Sequence, residues 1–193
     1  MHFWIATLIR GALALVIGSA ALVIPDMATT LLLLPFALAV SILCLAVYGV
    51  FDSAIVFVTS FMASSRPPQI ALRLQGTVGV MIGVILFAIV FDSVRLQWFL
   101  YLIALQSLCA AIAEFMVAKH AFTRGTCLWN YAVGTVALIF TVACSLVAIF
   151  KSTLQPRQVA WLIYGYLLAF GLTQCLTAAR MLYADRKFTA PAQ

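Results

Sequence analysis

The chain has 193 residues, of which 66% are hydrophobic and 8% are charged, and its mean hydropathy is +1.17. Soluble domains carry about a quarter of charged residues, so this composition excludes a water-soluble enzyme, a disordered chain and a nucleic-acid-binding module. The formal net charge is +6. Because the basic residues stand at the ends of apolar runs, they mark membrane topology rather than a surface for anions.

Six apolar stretches are long enough to cross a bilayer as helices, which takes about 20 residues. In chain order they are Phe3–Ile24, ended by Pro25-Asp26, and then about Leu31–Phe57, Ile70–Phe91, Gln97–Ala118, Cys127–Phe150 and Val159–Tyr183. Arg10 interrupts the first run, which favours a retained membrane helix over a cleaved signal peptide. Residues 64–69 contain two consecutive prolines and are predicted to form a loop. The predicted fold is all-α, with a single six-helix transmembrane domain over residues 1–193.

Orientation follows from the distribution of Lys and Arg. Eight of them fall on one side of the predicted membrane: Arg10, Arg66, Arg73, Lys119, Arg124, Arg180, Arg186 and Lys187. The other side receives Arg95, Lys151 and Arg157. By the positive-inside rule, both termini are predicted to be cytoplasmic in a bacterial inner membrane.

The sequence also repeats a helical hairpin three times, over about residues 3–62, 68–120 and 124–183. Near the end of each even-numbered helix, a small residue precedes a polar one by three positions: Gly49 and Asp52, Ala111 and Glu114, Gly171 and Gln174. The odd-numbered helices carry small residues on one face: Gly11, Ala14 and Gly18, then Gly76, Gly79 and Gly83, then Gly134. The first three recur after an interval of 65 positions. Small residues let membrane helices approach closely, so these positions are predicted to pack helices together.

Polar residues within each hairpin are predicted to lie at similar depths. Residues equidistant from an antiparallel turn share a height, and three pairs meet this condition: Arg10 with Asp52, Arg73 with Glu114, and Asn130 with Gln174. Their midpoints fall near the polar residues Thr29-Thr30, Asp92-Ser93 and Lys151-Ser152-Thr153. Ionisable groups in membrane segments are costly, and two readings stay open: anchors of helix packing, or a proton- or ion-responsive site.

Motifs for catalysis and metal binding are absent from the sequence. There is no HExxH, no GxSxG, no Walker loop and no CxxC, and the two histidines, His2 and His120, stand near segment ends. We therefore predict no catalytic, cofactor-binding or metal-binding residue, and no enzymatic activity.

One family shares this combination of features. Arg10-Gly11 opens a glycine-spaced helix, Pro25-Asp26 follows it, Gly49 and Asp52 mark the second helix, and the hairpin is repeated three times. Over roughly residues 3–183 the chain resembles the HdeD family of bacterial acid-resistance membrane proteins. The resemblance implies a non-enzymatic, six-helix inner-membrane protein linked to survival of acid or other stress. The second repeat departs from the pattern, with Gln75-Gly76 in place of Arg-Gly.

Three hypotheses for function follow. The first is stress tolerance through membrane permeability or through another envelope protein. The second is a small transporter or channel in which Asp52, Glu114 and Gln174 line a pathway. The third is an accessory subunit of a larger membrane complex. The expected partners are the lipid bilayer and either a second copy of the chain or an envelope protein, with no nucleic acid and no cofactor.

Overall fold

The computed structural model describes residues 3–30, 34–63, 65–89, 96–120, 124–150 and 156–189. These residues form six helices: α1 (Phe3–Thr30), α2 (Leu34–Ser60), α3 (Arg66–Ile89), α4 (Leu96–Lys119), α5 (Arg124–Phe150) and α6 (Pro156–Thr189). Each helix contains a stretch that is long and apolar enough to cross a membrane. The predicted fold class is confirmed, and the chain is a multi-pass, all-helical membrane protein.

Two helix boundaries differ from the prediction because of proline. The expectation that Pro25-Asp26 ends the first helix is wrong, since α1 continues to Thr30. A proline removes only one backbone hydrogen bond, whereas unwinding in an apolar medium would expose many backbone groups. The helix α3 begins at Arg66, so Pro67-Pro68 occupies its first turn, where no backbone N–H donor is needed. Of the three polar segments near the hairpin midpoints, Thr29-Thr30 forms the end of α1, while Asp92-Ser93 and Lys151-Ser152-Thr153 lie outside the described residues.

The six helices close into a ring. Each helix packs against the helices that precede and follow it in the chain, and α6 packs against α1. The most extensive packing joins different hairpins, namely α1 with α6, α2 with α3, and α4 with α5, while the two helices within each hairpin share fewer contacts. Around the ring, each odd-numbered helix thus packs most extensively against the even-numbered helix of the preceding repeat, which for α1 is α6. The ring therefore consists of three similar parts.

Small residues lie at all three of these extensive interfaces. A Cβ atom added to Gly11 would stand 2.9 Å from the carbonyl oxygen of Gly171, and one added to Gly76 would stand 2.9 Å from that of Ser53. At the third interface, a Cβ on Gly134 would meet the Phe115 ring at 2.6 Å. Real Cβ contacts are not this short, so glycine lets these helix backbones come together.

The other predicted packing residues follow the same scheme, with one difference. Further close approaches join Gly18 to Leu167, Gly79 to Ser53 and Gly83 to Val50, and Ala14 is fully buried. Gly49 instead faces the side-chain amide of Gln106 at 3.5 Å, an ordinary contact distance.

Apolar side chains cover the outside of the ring and polar ones lie within it. Large hydrophobic residues such as Val16, Phe51 and Phe150 are more than 60% exposed on the outer faces, where lipid would surround them. The buried set includes several charged or amide side chains: Arg10, Asp52, Gln75, Glu114, Asn130 and Gln174. The interior of the ring therefore holds the polar chemistry of the chain.

Candidate functional site

Arg10 lies at the centre of the ring. It stands on α1, one residue before Gly11, and the close approach at Gly11 holds this part of α1 against α6. In a ring of six, α1 and α4 are opposite each other. The Arg10 side chain reaches both Asp52 on the neighbouring α2 and Glu114 on the opposite α4, so it crosses the interior.

The contact between Arg10 and Asp52 is bidentate. Nε of Arg10 donates to Oδ1 of Asp52 at 2.8 Å, and Nη2 donates to Oδ2 at 3.4 Å. Both side chains are less than 10% exposed. A planar guanidinium matches a carboxylate in this way, and the paired hydrogen bonds offset part of the cost of removing both charges from water.

Glu114 connects Arg10 to a fourth helix. Its Oε1 accepts a hydrogen bond from Nη1 of Arg10 at 3.2 Å and another from Nε2 of Gln174 on α6 at 2.9 Å. Gln174 is only 1% exposed. Arg10, Asp52, Glu114 and Gln174 together form what we call the Arg10 cluster, and it links α1, α2, α4 and α6 in one hydrogen-bonded network.

The cluster also reflects the threefold repeat. Asp52, Glu114 and Gln174 occupy the same position of the small-x-x-polar pattern in the three even-numbered helices. The ring brings these three equivalent positions around one arginine. With all ionisable members charged, two carboxylates and one guanidinium give the cluster a net charge of −1.

Of the three predicted pairs, one is joined by hydrogen bonds in the structure. Arg10 and Asp52 are bonded. The expected pair of Arg73 and Glu114 is wrong, since Glu114 bonds Arg10 and Gln174 while the Arg73 guanidinium lies over the Phe61 ring, 4.6 Å from its centroid.

Asn130, the expected partner of Gln174, takes a different place. It is buried and lines a small cavity with Gln174, whose Nε2 donates to Glu114 instead. Shared distance from a turn predicts depth, but it does not predict which helices stand side by side.

Two cavities adjoin the Arg10 cluster along the axis of the ring. The larger, of about 60 Å³, is lined by Asp52 and by residues that precede the cluster on α4 and α6, such as Ser107 and Tyr166. The smaller, of about 10 Å³, is lined by cluster members and by residues on the other side, such as Phe3 and Thr59. The cluster therefore stands between the two cavities.

Gln75 is a site residue that the sequence reasoning did not single out. It is 5% exposed and lines the larger cavity, and its buried Oε1 has no hydrogen-bond partner. A signal was present, because Gln75 precedes Gly76 as Arg10 precedes Gly11, 65 positions earlier. The repeat register indicates Gln75 as the counterpart of Arg10, whereas charge favours Arg73.

The aromatic and hydroxyl groups around the larger cavity also escaped prediction. The Tyr166 ring stacks on Phe140 with centroids 3.9 Å apart, and Ser107 donates to the carbonyl oxygen of Ala137 across the α4–α5 interface at 2.7 Å. Aromatic residues are so common in membrane helices that their spacing alone gave no reason to choose these. Their positions at the cavity depend on which helices are neighbours in the six-helix arrangement.

The chemistry available at this site is that of charge and proton binding. The Arg10 cluster offers carboxylate acceptors and amide and guanidinium donors in a buried setting. Among the described residues, no group of three or more His, Cys, Asp and Glu side chains is placed to hold a metal ion. Comparisons with protein-family models, with curated proteins and with solved structures find no match for this chain.

Proposed function

We propose that this chain is a non-enzymatic protein of the bacterial inner membrane, with both termini cytoplasmic, that serves in tolerance of acid or related stress. The support is the resemblance to the HdeD family together with one observation: two buried carboxylates share one guanidinium. A cluster with one more acid than base can accept a proton and become neutral. It is therefore a suitable element for a response to acid.

The proposed response acts through the helices that the cluster joins. Oε1 of Glu114 accepts from both α1 and α6, so a proton on this carboxyl weakens an acceptor shared by two helices. The titratable neighbours on the other packed elements are Tyr48 on α2 and Tyr166 on α6, which line the adjoining cavity. Proton uptake would thus loosen the ring at its centre while its glycine interfaces stay packed.

An acid-survival assay tests this proposal. Cells that lack the protein would be complemented with the wild type, with Glu114→Gln, or with Thr135→Val, which alters an exposed hydroxyl bonded to its own helix at Tyr131. Glu114→Gln keeps the shape of the side chain and is neutral at every pH, so it imitates the protonated carboxyl and removes any change on acidification. We expect the wild type and Thr135→Val to restore survival only after adaptation at mildly acid pH, and Glu114→Gln to give the same survival with or without that adaptation, at equal membrane abundance. A dependence on adaptation in Glu114→Gln equal to that of the wild type would contradict the proposal.

A second candidate is a small transporter or channel, favoured by the cavities on both sides of the Arg10 cluster. Here the ion pair of Arg10 and Asp52 would separate to let a solute pass. Proteoliposome flux distinguishes this function, because Asp52→Asn and Glu114→Gln should then change a measurable wild-type flux. A flux at the level of empty liposomes for all three proteins would rule out transport by the chain alone.

A further inference from the structure

We propose that the cavity of about 60 Å³ beside Asp52 is a binding site for a small nitrogen cation of the ammonium or methylammonium class. The site lies on the Asp52 side of the Arg10 cluster, and the negative charge it uses is that of the whole cluster, including Glu114. The proposal rests on the charge of the cluster, an unused acceptor, the aromatic wall and the size of the space.

The charge balance and the acceptors favour a cation with N–H groups. The Arg10 cluster carries one more carboxylate than guanidinium. Glu114 lines the smaller cavity on the other side, while Asp52, which is bonded to Arg10 through both oxygens, lies on the wall of the larger cavity. The same wall holds Gln75, whose buried Oε1 has no hydrogen-bond partner. A buried acceptor left unpaired is destabilising, and a ligand that donates a hydrogen bond to it would remove that penalty. An ammonium group supplies both the positive charge and the donors.

The aromatic residues add a second attraction for such a cation. Phe140, Tyr166 and Phe170 line the same wall. The Phe140 and Tyr166 rings are stacked at 3.9 Å, so each covers one face of the other, and the Arg10 guanidinium already lies over the Phe170 ring, 5.8 Å from its centroid. Ring faces attract ammonium groups, more strongly where water is excluded. A magnesium or calcium ion would instead need six or more oxygen ligands, which these mostly carbon-lined walls do not provide.

The volume limits the size of the ligand. A protein cavity of about 150 Å³ holds benzene, with six heavy atoms, which is about 25 Å³ per heavy atom. On that scale a cavity of about 60 Å³ suits a ligand of about two heavy atoms such as methylammonium and is small for tetramethylammonium, which has five. This gives the site a size selectivity that can be measured.

Calorimetry on the full chain in lipid nanodiscs tests the proposal. Methylammonium chloride would be titrated at constant ionic strength into the wild type, Gln75→Leu and Thr135→Val, with sodium chloride and tetramethylammonium chloride as comparison salts. We expect saturable methylammonium binding to the wild type and to Thr135→Val, at least tenfold weaker binding to Gln75→Leu, and no saturable binding of the comparison salts.

Folding and binding can be separated in this experiment. Gln75 makes no hydrogen bond through its buried Oε1, so Gln75→Leu should unfold at the same or a higher temperature than the wild type while losing the ligand. The wild-type series of cations gives a readout that needs no variant at all. Equal affinity for methylammonium and tetramethylammonium, unchanged affinity in Gln75→Leu, or an absence of saturable wild-type binding would each overturn the proposal. None of these results depends on acid survival.

Discussion

Arg10 illustrates how a membrane protein holds an arginine in its interior. A charged residue at the centre of a membrane helix costs about 2.5–3.5 kcal/mol on insertion scales. Here three guanidinium nitrogens each donate to a carboxylate oxygen, two to Asp52 and one to Glu114. Removal of the arginine would leave two acids without their cation, which is more costly than the lost hydrogen bonds alone.

The first prediction compares two arginines. Arg10→Met should lower the free energy of unfolding by about 3–5 kcal/mol, the usual cost of breaking a buried ion pair. Arg73→Met removes a guanidinium that lies over Phe61 and should cost only about 0.5–1 kcal/mol. Unfolding by denaturant in mixed micelles measures both.

Charge removal supplies the control for this comparison. Adding Asp52→Asn and Glu114→Gln to Arg10→Met should restore part of the lost stability, because the carboxylates are then neutral. Similar losses for Arg10→Met and Arg73→Met would contradict the central role of Arg10.

At the scale of single residues, the sequence predicted part of the Arg10 cluster. Distances from the predicted turns placed Arg10 level with Asp52, and the two are bonded. The same reasoning assigned Glu114 to Arg73, because it assumed that a residue finds its partner within its own hairpin. Contacts across the ring decide the partners of Glu114, and they depend on how the hairpins are ordered in space, which intervals along the chain do not encode.

At the scale of helices, the interfaces between hairpins are closer than the interfaces within them. The backbones of α1 and α6 approach at Gly11 and Gly171, and those of α2 and α3 at Gly76 and Ser53. The sequence predicted the small faces and their packing role. It did not predict their partners, since a stripe of glycines fits any helix with a matching surface.

The second prediction uses two glycines that receive the same substitution. Gly76→Ala would place a Cβ 2.9 Å from the carbonyl oxygen of Ser53 and 2.8 Å from Cβ of Phe57, so α2 and α3 must separate. We expect a loss of about 1–3 kcal/mol, typical of overpacking. Gly165→Ala meets nothing within 4 Å and should be neutral or stabilising by up to about 1 kcal/mol.

Thermal unfolding in one detergent measures both variants. Because both substitutions gain the same helix propensity, the difference between the unfolding temperatures of the two variants measures the cost of the close contact at Gly76. A Gly76→Ala protein as stable as Gly165→Ala would show that α2 and α3 do not approach as closely as described.

At the scale of the whole molecule, the ring brings the first and last helices together. Gly11 lies beside Gly171, and Gly18 lies beside Leu167, so α1 and α6 run antiparallel. The beginning of α1 is therefore near the end of α6. No covalent link joins these helices, yet their interface is as extensive as that of α2 with α3.

The third prediction is that the chain tolerates circular permutation. A short Gly-Ser linker would join residue 189 to residue 3, and new termini would open between α2 and α3 at residue 64. All six interfaces remain available, and doubling the length of a loop changes its closure entropy by only about 0.6 kcal/mol. We expect a free energy of unfolding within about 1 kcal/mol of the wild type. A permutant recovered only as aggregates, beside a well-folded wild type carrying the same linker at its terminus, would argue against the closed ring.

The pairing of α1 with α6 has a consequence for synthesis of the protein. The helix α1 is translated first and α6 last, so the glycine face of α1 lies against lipid until α6 is inserted. Arg10 meets Asp52, 42 residues later, as soon as the first hairpin is inserted, and that nascent pair is electrically balanced. Glu114 follows 104 residues after Arg10. The surplus negative charge at the centre of the molecule therefore enters with the second hairpin, 60 residues before Gln174 on α6 is available to donate to Glu114.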